Sequence, residues 1–196
     1  MMNWDFENRL ELARRMRYPC GGHVDRPDPG LWFTKPARNP SGMGVGAYRN
    51  IYVGGISPGW VHDFDEDCMW MPMFTGEHFS VDFRRCRGGI WRQALTVRCD
   101  YDVLVSRPAQ WCKKNVEFPV PATLRGVDAE WLNVEFIGGS VIEAHARRNT
   151  DFDNAPPDAM VAQVVWGDQR RPAALVPDFD DADGQLAIPR VGFVYR

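Results

Sequence analysis

The sequence predicts an antiparallel α+β protein that is light on helix, and three observations carry that prediction. Asn8 to Arg17 has a helical apolar stripe, with Leu10, Leu12, Ala13 and Met16 near one face. Phe79, Val81 and Phe83 alternate with Ser80 and Asp82, the period of a half-buried strand. Leu132 to Arg147 alternates apolar and polar residues on both sides of Gly138-Gly139 and reads as a hairpin.

The remaining elements follow in order. Pro19 and Gly21-Gly22 end the helix, and a Pro/Gly-rich stretch runs to Gly30. Leu31 to Thr34 reads as a short buried strand, Asn39 to Gly46 as a Gly-rich loop, and Ala47 to Val53 as a second strand. Residues 54 to 68 are irregular and acidic, and Cys68 to Phe74 is apolar. Ile90 to Cys99 and Tyr101 to Val105 read as two further strands, and Ala159 to Trp166 and Gln185 to Arg196 as mixed strand and loop. No internal repeat is present.

Composition narrows the class. A chain of 196 residues fits one domain or two small lobes around a real core. A net charge of −3 with both signs interspersed points away from nucleic-acid and membrane surfaces. The first thirty residues hold no apolar run of signal-peptide length, and no segment approaches a membrane span. The five cysteines, Cys20, Cys68, Cys86, Cys99 and Cys112, contain no CxxC pair. That argues against a disulfide framework and a structural zinc site, so a reduced, cytoplasmic setting is expected. Eight Trp and fifteen Pro suggest short elements and aromatic-lined surfaces.

The hairpin carries the first chemical signal. A two-residue Gly138-Gly139 loop pairs Phe136 with Val141 and Val134 with Glu143, which puts a carboxylate on an apolar face. A three-residue loop, Gly138-Gly139-Ser140, gathers Val134, Phe136, Ile142, Ala144 and Ala146 on one face. Asn133, Glu135, Glu143, His145 and Arg147 then share the other. The hydrophobic pattern selects the three-residue loop. Glu135 then stands opposite Glu143, with Cβ atoms roughly 5 Å apart. Such a pair destabilises the sheet unless one member is protonated or a cation lies between them. A hard divalent ion such as Mg²⁺ answers that need; a solvated polar face without metal is the plainer reading.

The second signal is WFTKPARNPSGMGVGAY, residues 32 to 48. Lys35 closes an apolar strand, and the following loop contains Ser41, Gly42, Gly44 and Gly46. Glycine backbone N–H groups can approach phosphate oxygens closely, and the lysine supplies a point charge. The order is not that of a Walker A loop, where the lysine follows the glycines. A purely structural Gly-rich connection is the competing reading.

Together these pieces resemble the ATP-grasp superfamily of biotin carboxylase, carbamoyl-phosphate synthetase and D-alanine–D-alanine ligase. TKPARNPSGMGVG is similar to the family's lysine strand and phosphate-covering loop. MPMFTGEHFSVDF, residues 71 to 83, is similar to its interlobe hinge and the strand after it. NVEFIGGSVIEAHARRN is similar to its metal-binding hairpin. The three motifs stand in family order and span about residues 31 to 149.

The resemblance implies two small lobes, each with an antiparallel sheet, and a nucleotide between them. Residues 1–30 would be a helix and linker, 31–70 the smaller lobe, and 71–196 the larger lobe with hairpin 132–147. It implies that Lys35 contacts ATP phosphates beneath Ser41, Gly42 and Gly44. Met71, Pro72, Met73 and Phe74 would hold adenine through backbone groups, with Glu77 and His78 near the ribose. Glu135, Glu143 and His145 would bind Mg²⁺, and Arg147 would meet the transferring phosphoryl group.

Three positions depart from the family pattern. His78 stands where an acid usually meets the ribose, Met71 replaces a frequent hinge acid, and His145 replaces the metal-site Asn. An imidazole shifts preference toward Mn²⁺, leaves His145 outside the metal's direct ligands, or makes Asn149 the substitute.

The implied activity is an ATP-dependent ligase that activates a carboxylate as an acyl phosphate for attack by an amine or thiol. About thirty residues precede the Lys35 strand, so the resemblance leads one to expect that the family's usual N-terminal domain is not carried by these residues. A homodimer or a partner protein would supply it, and the segment Arg84 to Leu132 would contribute to the acceptor surface through Trp91, Arg98, Arg107, Trp111, Lys113 and Lys114; Trp residues that cap the core and a solvated basic face are the competing reading. Two other classes compete: a non-catalytic nucleotide-binding or assembly subunit, and a structural protein-binding domain with no nucleotide site. On the ligase reading, Glu143→Gln should remove turnover with less effect on folding.

Other clusters read as structure. His62 beside Asp63, Asp65, Glu66 and Asp67 is a solvated acidic loop, and Asp178, Asp180, Asp181 and Asp183 lack calcium-loop spacing.

Overall fold

The computed structural model describes residues 5–6, 8–22, 25, 27–38, 48–52, 67–102, 107–177 and 190–196, with 48–52 and 102 as backbone. Among them one α-helix is present, α1 at Arg9–Arg15. Asn8 caps it, its side chain accepting from the Glu11 N–H at 3.0 Å. The helix lies within the predicted span and ends where Arg17 takes a positive φ of 60°, with the Tyr18 N–H donating back to the Ala13 carbonyl at 3.0 Å.

A four-stranded sheet holds β1 (Gly21–Gly22), β2 (Gly30–Pro36), β3 (Tyr48–Tyr52) and β4 (Cys68–Pro72), in the order β1-β4-β2-β3. An eight-stranded sheet follows. Its strands are β5 (His78–Arg85), β6 (Trp91–Asp102), β7 (Arg107–Lys113), β8 (Trp131–Ile137), β9 (Ser140–His145), β10 (Val161–Trp166), β11 (Val176–Pro177) and β12 (Arg190–Tyr195). Their order is β11-β12-β10-β7-β6-β5-β8-β9, and every pairing is antiparallel. The fold is thus predominantly antiparallel sheet with little helix. No helix of the described residues is long and apolar enough to cross a membrane.

Strand β5 lies inside the large sheet, so both of its faces are buried rather than one. Phe79, Val81 and Phe83 pack with Leu132, Val134, Phe136, Val141 and Ala144 and with Leu12 of α1. Their neighbours His78, Ser80 and Asp82 are equally buried on the opposite face. That face continues into a second core of Val97, Cys99, Trp111, Ala162, Val164, Trp166 and Phe193. Ala13 of α1 packs instead with Met69 and Met71 of the small sheet, so the helix buries residues against both sheets.

Two sequence expectations are corrected. β6 is one continuous strand through Asp102, because its pairing with β7 runs across the predicted break, with a bulge between Asp100 and Tyr101. The hairpin has a two-residue Gly138-Gly139 loop, both glycines at positive φ, pairing Ile137 with Ser140 and Phe136 with Val141. A bulge beside Phe136 then resets the register, so Glu135 still faces Glu143. Val141, not Ile142, enters the core, and Ala146 is exposed. The residue added by the bulge relieves the conflict that had counted against a two-residue loop.

Candidate active site at the carboxylate hairpin

The polar end of the buried sheet face is built by alternation and register. On β5 it presents His78, Ser80 and Asp82; across from them, Asn133 faces Asp82 and Glu135 faces Ser80. Glu143 and His145 of β9 stand opposite Glu135 and Asn133. Ligand atoms of Glu135, Glu143 and His145 all lie within 4.8 Å of one another. Two carboxylates and an imidazole are a donor set for a divalent cation, with the imidazole favouring Mn²⁺ over Mg²⁺.

Two cations reach this hairpin from elsewhere. Lys35, near the end of β2, is 3% exposed; its Nζ donates to the Ile142 carbonyl at 3.0 Å and lies 3.6 Å from Glu143 Oε1. Arg9, the first residue of α1, is 4% exposed and forms an ion pair with the same Glu143 oxygen. The Arg9 Nη1 also donates to the Pro36 carbonyl at 3.4 Å, and its backbone N–H donates to Ala37 at 2.8 Å. His145 Nε2 sits 3.4 Å from Glu143 Oε2. Burial works against the Glu143 charge, but Arg9, then Lys35, then His145 outweigh it and hold the carboxyl well below its usual range. For Lys35 the balance reverses. Burial pulls the amine down to about 8 despite the attraction of Glu143, and Arg9 adds to the fall.

Glu135 has a different partner. His78 Nε2 bonds Glu135 Oε2 at 3.1 Å, and Nδ1 meets the Tyr101 hydroxyl at 2.6 Å. An ionised carboxylate only accepts, so Nε2 donates to it. The like-charge conflict of Glu135 and Glu143 is therefore met by Arg9, Lys35 and His78. Both ring nitrogens of His78 are engaged inside the protein, so contact with a ribose would cost one of these bonds.

Beside the hairpin lies a buried hydrogen-bond network. Asn133 Nδ2 donates to Ser80 Oγ and to Asp82 Oδ1, both at 2.8 Å. The Asn149 N–H donates to Asp82 Oδ1 at 2.9 Å, and its side chain donates to Ser80 Oγ at 3.1 Å. Burial raises the Asp82 carboxyl to about 6, opposed by Asn149, Asn133, Arg148 and Arg147. Asn149 is thus a brace for the chain after β9, its side chain turned to Ser80 and Asp151 rather than to Glu135 and Glu143.

The other predicted residues are placed as follows. Residues 73–77 carry the chain from one sheet to the other; Met71 is buried, Pro72, Met73 and Phe74 are half-buried, and the Phe74 ring packs against Tyr18 at 4.8 Å with a tilt of 60°. The Tyr18 hydroxyl accepts from the Val141 N–H at 2.9 Å. Gly138 N donates to the Glu77 carbonyl at 3.1 Å, tying the hairpin tip to this connection. Glu77 is exposed and accepts from Arg98 at 3.0 Å. Arg147 is exposed, its Nη1 donating to the Arg148 carbonyl at 3.3 Å. Ser41, Gly42 and Gly44, residues 62–66 of the His62 cluster and the Asp178–Asp183 run lie outside the described residues. In the segment 84–132, Trp111 is buried, and Arg107 pairs with Asp168 at 3.0 Å.

Arg9 and Asp82 escaped the sequence reading. Arg9 had a signal: it shares the helical stripe of Leu12, Ala13 and Met16, where a charge needs a buried partner. The Asp82 network had none, because its members are far apart in sequence.

No protein-family pattern and no curated protein matches the sequence of the chain. Its structure does match solved ones. A protein assigned to the ATP-grasp superfamily from Archaeoglobus fulgidus aligns with a TM-score of 0.55 at 11% identity, over 95% of this chain and 64% of the other. The L-amino acid ligase of Bacillus licheniformis aligns with a TM-score of 0.50 at 10% identity, over 73% of this chain and 41% of that one. The fold is therefore the ATP-grasp fold, and the chain spans 64% and 41% of these two proteins' lengths.

Proposed function

We propose that this chain is a nucleotide-binding ATP-grasp domain serving an ATP-dependent ligase, which activates a carboxylate for attack by an amine or thiol. One observation carries the reading: buried Lys35 of the small sheet meets Glu143 of the large sheet's hairpin, beside Glu135 and His145. The likeness in fold to an L-amino acid ligase supports it.

In this reading the two sheets are the two lobes and the nucleotide lies between them. Lys35 and the loop with Ser41, Gly42 and Gly44 hold phosphates, and backbone groups of Met71, Pro72, Met73 and Phe74 hold adenine. Glu77 and His78 border the ribose. Glu135, Glu143 and His145 hold Mg²⁺ or Mn²⁺, which when bound would neutralise phosphate charge. Arg147, whose exposed side chain bonds the Arg148 carbonyl, turns inward to meet the phosphoryl group. The work of these residues is positioning and charge compensation, with no covalent nucleophile of the protein's own. The acceptor surface comes from a second copy, a partner protein or a longer assembly, in a cytoplasmic setting.

The thermal midpoint with millimolar ATP tests this, run with Mg²⁺, with Mn²⁺ and with EDTA. A ligand at a hundred times its Kd stabilises by about 2.7 kcal/mol. A metal-dependent rise that vanishes in Lys35→Ala is expected, and no rise under any condition refutes the nucleotide site. A second reading, a nucleotide-binding subunit without turnover, is favoured by Arg9 on Glu143 and by His145 at the metal-site position. ADP release over a panel of amino acids and peptides separates the two.

A further inference from the structure

We propose that Arg9 is the resident counter-cation of the hairpin carboxylates and bars free divalent metal from Glu143 until phosphates arrive with it. The proposal rests on the reading of Glu135, Glu143 and His145 as the metal-holding group. Its first support is charge. Two carboxylates, Glu135 and Glu143, already face two cations, Arg9 and Lys35. A bare divalent ion would add unbalanced positive charge to a group whose Arg9, Lys35 and Glu143 side chains are 4%, 4% and 10% exposed. An uncompensated charge in such surroundings costs several kcal/mol per ion. A metal–triphosphate complex carries net negative charge and meets no such barrier, because Arg9 and Lys35 then face phosphate as well as carboxylate.

The second support is that Arg9 is held in place independently of Glu143. Its guanidinium donates to the Pro36 carbonyl and its backbone N–H to the Ala37 carbonyl, next along the chain from Lys35. An isolated bridge joins Asn8 to Arg38 in the same stretch. The start of α1 is thus fixed to the end of the Lys35 strand, and Leu12 and Ala13 bury the helix against both sheets. Arg9 cannot drift from Glu143 without disturbing that anchorage.

Electron paramagnetic resonance of Mn²⁺, titrated without nucleotide, tests the proposal. Wild-type protein should leave the free-Mn²⁺ signal unchanged to about 1 mM. Arg9→Met should bind one ion at least tenfold more tightly, about 1.4 kcal/mol, and Glu135→Gln added to it should abolish that binding. Should Arg9→Met fail to fold, Arg9→Gln, which keeps a donor for Pro36, takes its place. Wild-type binding as tight as the variant's, or no binding by the variant, overturns the proposal. Either failure leaves the nucleotide reading to its own test, the ATP-dependent rise in midpoint of the wild type.

Discussion

Replacing Glu143 by glutamine removes one charge and keeps the side-chain shape, yet the structure makes it a severe change. Arg9 and Lys35, 4% and 3% exposed, would lose the carboxylate that compensates both. Breaking a buried ion pair from one side costs about 3–5 kcal/mol, because the remaining charge stays buried. The glutamine oxygen can still accept one bond from Arg9, which places the expectation near the lower end, about 3 kcal/mol. For a chain of this size each kcal/mol moves the midpoint by about 2–4 °C, so a fall of roughly 6–12 °C is predicted. The assay is thermal and urea unfolding at pH 7, with an Arg9→Met/Glu143→Leu double variant beside it. That double variant should cost less than the sum of its single changes, since both unpaired charges at that contact go together.

An acid limb gives a second reading of the same prediction. The folded-state carboxyl of Glu143 lies below its ordinary value. Its stabilisation is therefore present above the unfolded value of about 4.3 and lost as pH falls toward the folded one. The glutamine variant should lose stability less steeply over that range. A Glu143→Gln protein within about 0.5 kcal/mol of wild type would refute the buried-triad argument, since that is the scatter of an ordinary surface change. From the sequence alone, the same substitution was expected to act on turnover with less effect on folding.

Three further predictions follow from single contacts. Asp82→Asn keeps an oxygen for Asn133 and Asn149 and removes a buried charge, so it should be near neutral at pH 7. It should also abolish the loss of stability that wild type shows as pH rises from about 4 to about 6, where folded Asp82 holds its proton more tightly than the unfolded chain; Asp82→Ala, leaving both donors unpaired, should cost about 1–3 kcal/mol. Gly138→Ala would set a Cβ 2.1 Å from the Thr75 carbonyl, whereas at Gly139 nothing lies within 4 Å. Chemical denaturation should show the first clearly more destabilised, the second losing only the roughly 1 kcal/mol of a left-handed alanine. Finally, Lys35 sheds its proton near pH 8. The ATP-dependent rise in midpoint should shrink as pH climbs through that value, and a rise unchanged at pH 9.5 would separate Lys35 from the phosphates.

What depends on neighbours along the chain was legible in the residues alone. The stripe of α1, the alternation of β5 and the place of the glycine turn follow from period and parity, which side-chain geometry imposes locally, whereas the facing of Glu135 and Glu143 was expected through a three-residue loop and is reached through a bulge. The sequence also marked Lys35 as a buried-strand lysine worth a role. What it left open depends on partners distant in the chain. β7, with Pro108 near its start and Trp111 and Cys112 inside, shows no clean alternation and is a strand because β6 and β10 flank it. The bulge that lets a two-residue loop coexist with the Glu135–Glu143 pairing arises from packing Val141 into the core. That Arg9 and Lys35 share one carboxylate, and that Asp82 braces Asn149, emerged with the folded chain. Each is an electrostatic contact across a long stretch of chain, made possible because both ends are already fixed by apolar burial.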